Sequence, residues 1–411
     1  MPNVVSARQI AIQCLCKWNN SKAFAETLVD KECNNHKISH ADRHLVQALV
    51  YTTLRYKSWF DYIIEKFRKG RLDTNIRITI HIGLCQLFIL GIDAHAAVFE
   101  TVQETPRRAK GLVNAILRSA QRNYNDLLTE RDTLPLHIRY STPKWLVDRW
   151  ISQFGEHSAI ELLQWNETTP RLYVRSNPMR PIEILPPGLT PLAKAPNWYA
   201  VEGELPLEAL KAGLLYAADP STRHAIELLN PRANESILDA CAAPGGKSIA
   251  ILGATRGQAH LTATDLFEHR LPTLKNNLET QGFHGTEVAQ SDWSQPCPEH
   301  WKQKFDAVLL DVPCSNTGVI QRRVDVRWRL NETEIQRLTT LQYQILQHAA
   351  EAVKPGGRLV YSTCSIDAEE DGELIHKFLT EHPTWKLIEE RLILPQTEKS
   401  DGAYAALLIC A

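Results

Sequence analysis

No stretch of this 411-residue chain approaches the roughly 18 consecutive apolar residues that a membrane-crossing helix needs. The opening segment, MPNVVSARQIAIQCLCKWNN, lacks the basic, apolar and small-residue regions of a secretory signal, so a cytoplasmic protein is expected. The nine cysteines are odd in number and include no Cys-x-x-Cys pair, which argues against both a disulfide framework and a zinc site. Two nucleotide signatures are also missing. The dinucleotide fingerprint Gly-x-Gly-x-x-Gly does not occur. The sequence Gly246-Lys247-Ser248 would need a glycine five residues before Gly246 to make a phosphate loop, and that position is Cys241.

What is present is an ordinary globular composition, 44% apolar and 23% charged, in a chain too long for one hydrophobic core. The formal net charge of −1 hides an asymmetry. Residues 1–135 carry 19 Lys and Arg against 13 Asp and Glu, a balance of +6 that leaves −7 for the remainder. A basic front segment suits a polyanionic partner.

The periodicity divides the chain into three parts: 1–135, 136–216 and 217–411. The first reads as an all-α bundle. Ser6 can cap a helix carrying Ile10, Cys14 and Trp18, and Ser39 can open another carrying Leu45, Leu49 and Leu54. NIRITIHIGLCQLFIL alternates like a strand and then reads as a buried helix. The second part starts with a helical join, capped by Ser141 or Thr142 with Pro143 in its first turn. A proline-rich stretch follows, in which short strands such as RLYVRSN suggest a small α/β insert. The third part alternates strands and helices: SILDACA, HLTATD, FDAVLLDVP, GRLVYSTCS and YAALLICA read as strands, with a helix expected from about Glu332 to Lys354. Such alternation implies a mostly parallel sheet covered on both faces, with ligands beyond the carboxyl ends of its strands.

Chemistry concentrates at those ends. Gly245 and Gly246 lie between a strand and a helix, where backbone can approach a ligand closely. Asp265 ends the next strand, placed to accept from both hydroxyls of a ribose. Asp292 follows the third strand and can accept from an adenine amino group. Glycine loop, Asp265 and Asp292 in series favour an adenosine ligand without phosphates, for which S-adenosylmethionine is the candidate. Cys314 and Cys364 then stand at the tips of two further strands, each in a Cys-Ser context. A thiolate added to carbon 6 of a pyrimidine makes carbon 5 nucleophilic toward a sulfonium methyl, and thiolate expulsion completes the reaction. A free thiol, with pKa near 8.5, needs activation for this. Asp311 is placed to hold the base edge and, if protonated, to deliver a proton to N3. The loop DVPCS lacks the aromatic residue of amine methylation loops.

The segments DACAAPGGKS, LLDVPCSNTGVIQRRVDVRW and LVYSTCSIDAEED resemble the Fmu/Sun-type RNA cytosine-C5 methyltransferases. AHAAVFETVQET and KGLVNAILRSAQR resemble a NusB-like RNA-binding domain. The resemblance implies a multidomain chain: an all-α NusB-like bundle, a reduced ferredoxin-like insert lacking one helix, and a Rossmann-like class I methyltransferase. It implies S-adenosylmethionine as cofactor and RNA as partner, ribosomal RNA first and transfer RNA as the alternative, with no metal, no membrane and a monomeric state. A second alternative is a non-catalytic RNA-binding or ribosome-assembly factor that keeps the fold. Residue by residue, it makes Cys364 the nucleophile and Cys314 the group assisting product release. Cofactor contacts fall on Cys241, Ala242, Ala243, Pro244, Gly245, Gly246, Lys247, Asp265, Asp292 and Asp311, with Lys247 also near the target base. Substrate contact falls on Pro313, and RNA contact or loop ordering on Arg322, Arg323 and Asp325, in the loop after the Pro-Cys motif. The sequence departs from the family pattern in three places: Val324 replaces a usual proline, Asn316 stands where glycine or alanine is common, and SDGAYAAL near the C-terminus replaces an aromatic-rich Asp-Gly-Phe-Phe stretch, though Asp401, Gly402 and Tyr404 remain.

Overall fold

The computed structural model describes residues 5–410. They form two compact units. The first comprises the chain through Thr168 together with Arg323–Arg329, and the second comprises Thr169–Arg322 and the chain from Leu330 onward.

The first unit is helical. Ala7–Asn19 is capped by Ser6, whose hydroxyl accepts from the amide of Gln9, and His40–Arg55 is capped by Ser39 in the same way through Asp42. The ambiguous NIRITIHIGLCQLFIL segment is the helix Thr74–Phe88. Every residue from Ile78 to Phe88 is buried, so no polar face exists to reveal a helical period. The helix expected after Ser141 or Thr142 spans Lys144–Phe154, and Pro143 itself is the capping residue, without a side-chain cap.

Residues 323–329 fold with this unit although they lie far along the sequence. Val324 joins the helical core. The indole of Trp328 donates to the carbonyl of Leu54 at 2.9 Å, and Arg329 donates to the carbonyls of Trp18 and Ala23. Arg327 is fully buried and reaches the carbonyls of Tyr140, Ser141 and Asn166. Burial, with the nearby Arg55 adding to it, pulls the pKa of Arg327 down to about 9.

The second unit holds two sheets. In the smaller, strands β1 (Leu172–Ser176), β2 (Leu189–Pro191), β3 (Trp198–Val201) and β4 (Leu215–Ala217) pair antiparallel in the order β2-β3-β1-β4. A short helix, Leu207–Lys211, precedes β4, and none separates β1 from β2. This is a ferredoxin-like sheet short of one helix. Asn177 ties it to the larger sheet's layer by donating to the carbonyls of Gly213 and Gln281, both at 2.8 Å.

The larger sheet contains β5 (Ser236–Asp239), β6 (His260–Asp265), β7 (Glu287–Gln290), β8 (Phe305–Asp311), β9 (Val353–Thr363), β10 (Trp385–Ile393) and β11 (Ala403–Cys410), in the order β10-β11-β9-β8-β5-β6-β7. Strands β5 to β9 are parallel, and β11 and β10 close one edge antiparallel. Strand β5 pairs with β6 on one side and β8 on the other, so strand order reverses there and opens a crevice at the carboxyl ends. The helix expected to run to Lys354 ends at Ala350, because Val353 and Lys354 already belong to β9. Strand β10 has no counterpart in the sequence reading; its charged, solvent-facing edge masks the alternation.

Candidate active site

Strands β5, β6, β8 and β9 deliver the site residues in order. At the end of β5, Asp239 is fully buried and accepts from Ser248 Oγ at 2.6 Å, while its other oxygen has no hydrogen-bond partner among the described residues. Burial raises its pKa to about 7. The loop from Cys241 to Lys247 turns at Gly245, whose φ of 111° suits glycine. A side-chain carbon at Gly246 would come within 3.3 Å of the Tyr216 ring. Burial, followed by the acids Asp239, Asp311 and Asp265, pushes the Cys241 thiol well up. It therefore stays neutral.

Asp265, buried at the end of β6, accepts from the amides of Ala243 at 3.3 Å and Phe267 at 3.0 Å. One carboxylate thus links the glycine loop to its own strand end. Asp292 is exposed after β7 and accepts from the amide and hydroxyl of Ser294 through one oxygen. These residues fit an adenosyl ligand: an acid at the second strand end, a second acid at the third, and a loop whose glycine would be crowded by any side chain.

Lys247 Nζ pairs with Asp311 Oδ2 at 2.6 Å. Burial opposes the ammonium charge, but Asp311, by charge and by hydrogen bond, outweighs it and lifts the pKa of Lys247. Asp311 thus meets a cation directly.

The two cysteines meet. Asp311 on β8 lies opposite Ser362 on β9, and this register carries the following loops to one place. Cys314 Sγ and Cys364 Sγ are 3.2 Å apart. Cys314 is buried and Cys364 half-buried. The hydrogen bond to Cys364 and then burial hold the Cys314 thiol well above its usual pKa. Cys364 lines a small cavity with Lys247, Thr222, His224, Asp401 and Gly402.

Several residues that hold the cysteines were not legible in the sequence. Asn316 has a left-handed φ of 63°, which asparagine tolerates better than most side chains. Its amide donates to the Cys314 carbonyl at 2.7 Å and accepts from the Cys364 thiol at 3.2 Å. Glu370 accepts from the amide of Ser315 at 2.9 Å, from the Ser315 hydroxyl, and from Gln342 at 2.8 Å. Thr317 donates to Asp367 at 2.6 Å, and Thr363 to Asp371 at 2.7 Å. This buried polar network stitches the Cys314 loop to the Cys364 loop. The only sequence signal for it was the run of acids after Cys364.

Of the four residues expected to meet substrate, Pro313 is exposed beside Cys314, and its carbonyl accepts from Gln342 at 3.0 Å. Arg322 is engaged with two acids: it donates to Asp219 at 2.8 Å and to both oxygens of Asp401. Arg323 is exposed and belongs to the helical unit. Asp325 is buried in that unit, accepting from the Trp18 indole at 3.2 Å and the Ala25 amide at 2.7 Å. Its carboxylate serves as an internal acceptor of that unit.

Residues 226–409 match the family described as 16S rRNA methyltransferase RsmB/F, and residues 5–122 match the NusB family. The ribosomal RNA small subunit methyltransferase B of Yersinia enterocolitica is 33% identical, with all of both chains covered. That of Klebsiella pneumoniae is 35% identical over 100% of this chain and 99% of its own. This chain belongs to the same family. It is an S-adenosylmethionine-dependent RNA methyltransferase. The fold also matches the crystal structure of PH0851, with a TM-score of 0.77 and 20% identity over 98% of each chain. Among the described residues, no helix is long and apolar enough to cross a membrane.

Proposed function

We propose that this protein methylates carbon 5 of a cytosine in small-subunit ribosomal RNA through a covalent adduct between Cys364 and carbon 6 of the base. The observation that carries this reading is the meeting of two thiols, 3.2 Å apart, at the ends of adjacent parallel strands. Amine methylation has no use for either.

When bound, S-adenosylmethionine supplies an electrophilic methyl group. Asp265 would hold its ribose, Asp292 its adenine edge, and the 241–247 loop would pack against its backbone-facing side. The target cytosine must leave its stack to expose carbon 6. The Lys247–Asp311 pair would take the N3 and amino edge, with Lys247 stabilising both the thiolate of Cys364 and the electron-rich ring of the adduct. Pro313 would border the base. The Cys364 thiolate would add at carbon 6, the C5–C6 bond electrons would shift to carbon 5, and carbon 5 would take the sulfonium methyl, the S–CH3 electrons staying with the departing thioether. Cys314 then assists loss of the carbon-5 proton and release of Cys364. Arg322 would shape the wall beside Cys364 through Asp401, and Arg323, exposed on the helical unit, would contact the RNA. The protein would act as a cytoplasmic monomer without a metal.

Bisulfite sequencing of total RNA with and without the gene tests the substrate. Loss of one small-subunit rRNA signal is expected. Loss of a transfer RNA signal instead, or of none, would reject this reading.

A further inference from the structure

The second unit has a cleft of about 420 Å³ between the small sheet and the helices Arg223–Leu229 and Gly246–Ala254. Arg175 and Trp198 on its sheet wall face Arg223, Glu227 and Asn230 on its helix wall. Arg175 is unusual among the partly buried arginines of this unit. Arg322 holds two acids, Arg358 holds Glu235, and Arg180 holds the carbonyls of Ala212 and Thr280. Among the described residues, the guanidinium of Arg175 instead has no acid partner; it lies over the ring of Trp198, 5.7 Å from its centroid, and within electrostatic reach of Tyr216. Burial without an acid pulls its pKa down to about 10. The one acid lining the cleft, Glu227, is already taken by Arg223 at 3.3 Å and Arg391 at 2.8 Å.

A guanidinium over an aromatic ring gains cation–π attraction while its N–H donors stay available to a ligand. An anion there gains charge-assisted hydrogen bonds and relieves an uncompensated charge. Two features connect the cleft to the chemistry. The segment around helix Arg223–Leu229 gives Thr222, His224 and Ala225 to the Cys364 cavity and Arg223, Ile226 and Glu227 to the cleft. Tyr216 lies against Gly246 and within the electrostatic reach of both Arg175 and Lys247.

We propose that this cleft binds a backbone phosphate of the RNA strand flanking the target base, with Arg175, backed by Trp198, as its principal contact. The inference rests on the proposed RNA methylation. Trp198 is itself buried, so it serves as the backing of the guanidinium and leaves no face for a base.

The test is filter binding of an in-vitro-transcribed small-subunit rRNA across a salt series, with S-adenosylmethionine affinity measured in parallel. Arg175→Gln should weaken RNA binding about tenfold and reduce the slope of log K against log salt by about 0.7 to 0.9, one phosphate contact. Arg175→Lys should restore the slope but only part of the affinity. Asn197, exposed at the rim beside Arg175, offers a variant that does not touch the packed wall. Asn197→Asp should weaken RNA binding through its added charge and leave cofactor affinity unchanged. RNA affinity and salt slope equal to the parent in both Arg175→Gln and Asn197→Asp would overturn the proposal. So would a parallel loss of cofactor binding in both, which would assign Arg175 a structural role. A parent protein that binds and methylates no RNA would instead sink the underlying functional reading.

Discussion

Cys314 Sγ lies 3.2 Å from Cys364 Sγ, and only Cys364 also touches the amide oxygen of Asn316. Its neighbour's thiol is held protonated by that contact and by burial. The pair is thus chemically unequal. Cys364→Ala should lower methyl transfer by about 10³-fold or more, since the nucleophile itself is gone. Cys314→Ala should instead accumulate a protein–RNA adduct that survives denaturing electrophoresis when S-adenosylmethionine is supplied. Adduct accumulation in Cys364→Ala would reverse the assignment.

Gly318 bridges the two cysteine loops. Its amide donates to the Cys364 carbonyl at 3.0 Å, and a side-chain carbon there would come within 2.7 Å of the Gly402 carbonyl and 2.8 Å of the Cys364 carbonyl. Both clashing atoms are backbone and cannot swing aside. Gly318→Ala should cost about 1 to 3 kcal/mol of stability and displace Cys364. Activity should fall at least about tenfold at temperatures where the variant remains folded by circular dichroism. Activity equal to the parent would show that the loops have room.

Asp239 supplies a pH test. Its carboxyl, raised to about 7 by burial, keeps a proton in the folded protein that an unfolded chain gives up near pH 4. The folded state therefore binds more protons between these values. Its contribution to stability is present at low pH and is lost as pH rises through about 7. Asp239→Asn keeps an acceptor for Ser248 and removes the titration. Thermal unfolding at pH 5 and pH 8 should show the variant gaining on the parent at the higher pH, by on the order of a few kcal/mol. A difference independent of pH would mean that Asp239 ionises normally.

Asp325 should behave as a structural residue. Asp325→Ala leaves the Trp18 indole and the Ala25 amide without their acceptor in a buried place. Destabilisation of about 1 to 3 kcal/mol is expected in denaturant unfolding followed by tryptophan fluorescence. Unchanged stability together with a selective loss of RNA affinity would return Asp325 to the substrate-binding group.

The sequence by itself determined the parts and their order. Alternation of apolar runs with turn residues placed β5, β6, β8, β9 and β11. Asp265, Asp292, Cys314 and Cys364 were recognisable at or just beyond strand ends because a strand's period and its terminating residues are local properties. Local signals failed where burial was complete or charge was heavy: Thr74–Phe88 has no polar face, and β10 carries Lys386, Glu389, Glu390 and Arg391. Only the tertiary structure decided the rest. The contact of two thiols, the Lys247–Asp311 pair and the left-handed Asn316 follow from the parallel register of β8 with β9 and from the turn geometry beyond it. The destination of Arg323–Arg329 was decided in the same way. Asp325 sits in a motif-rich stretch and reads as a substrate contact or loop-ordering residue, and its carboxylate accepts from Trp18 and Ala25, partners 307 and 300 residues earlier in the chain. Spacing within a motif says which residues travel together. It does not say which distant donors and acceptors will meet them once water is excluded.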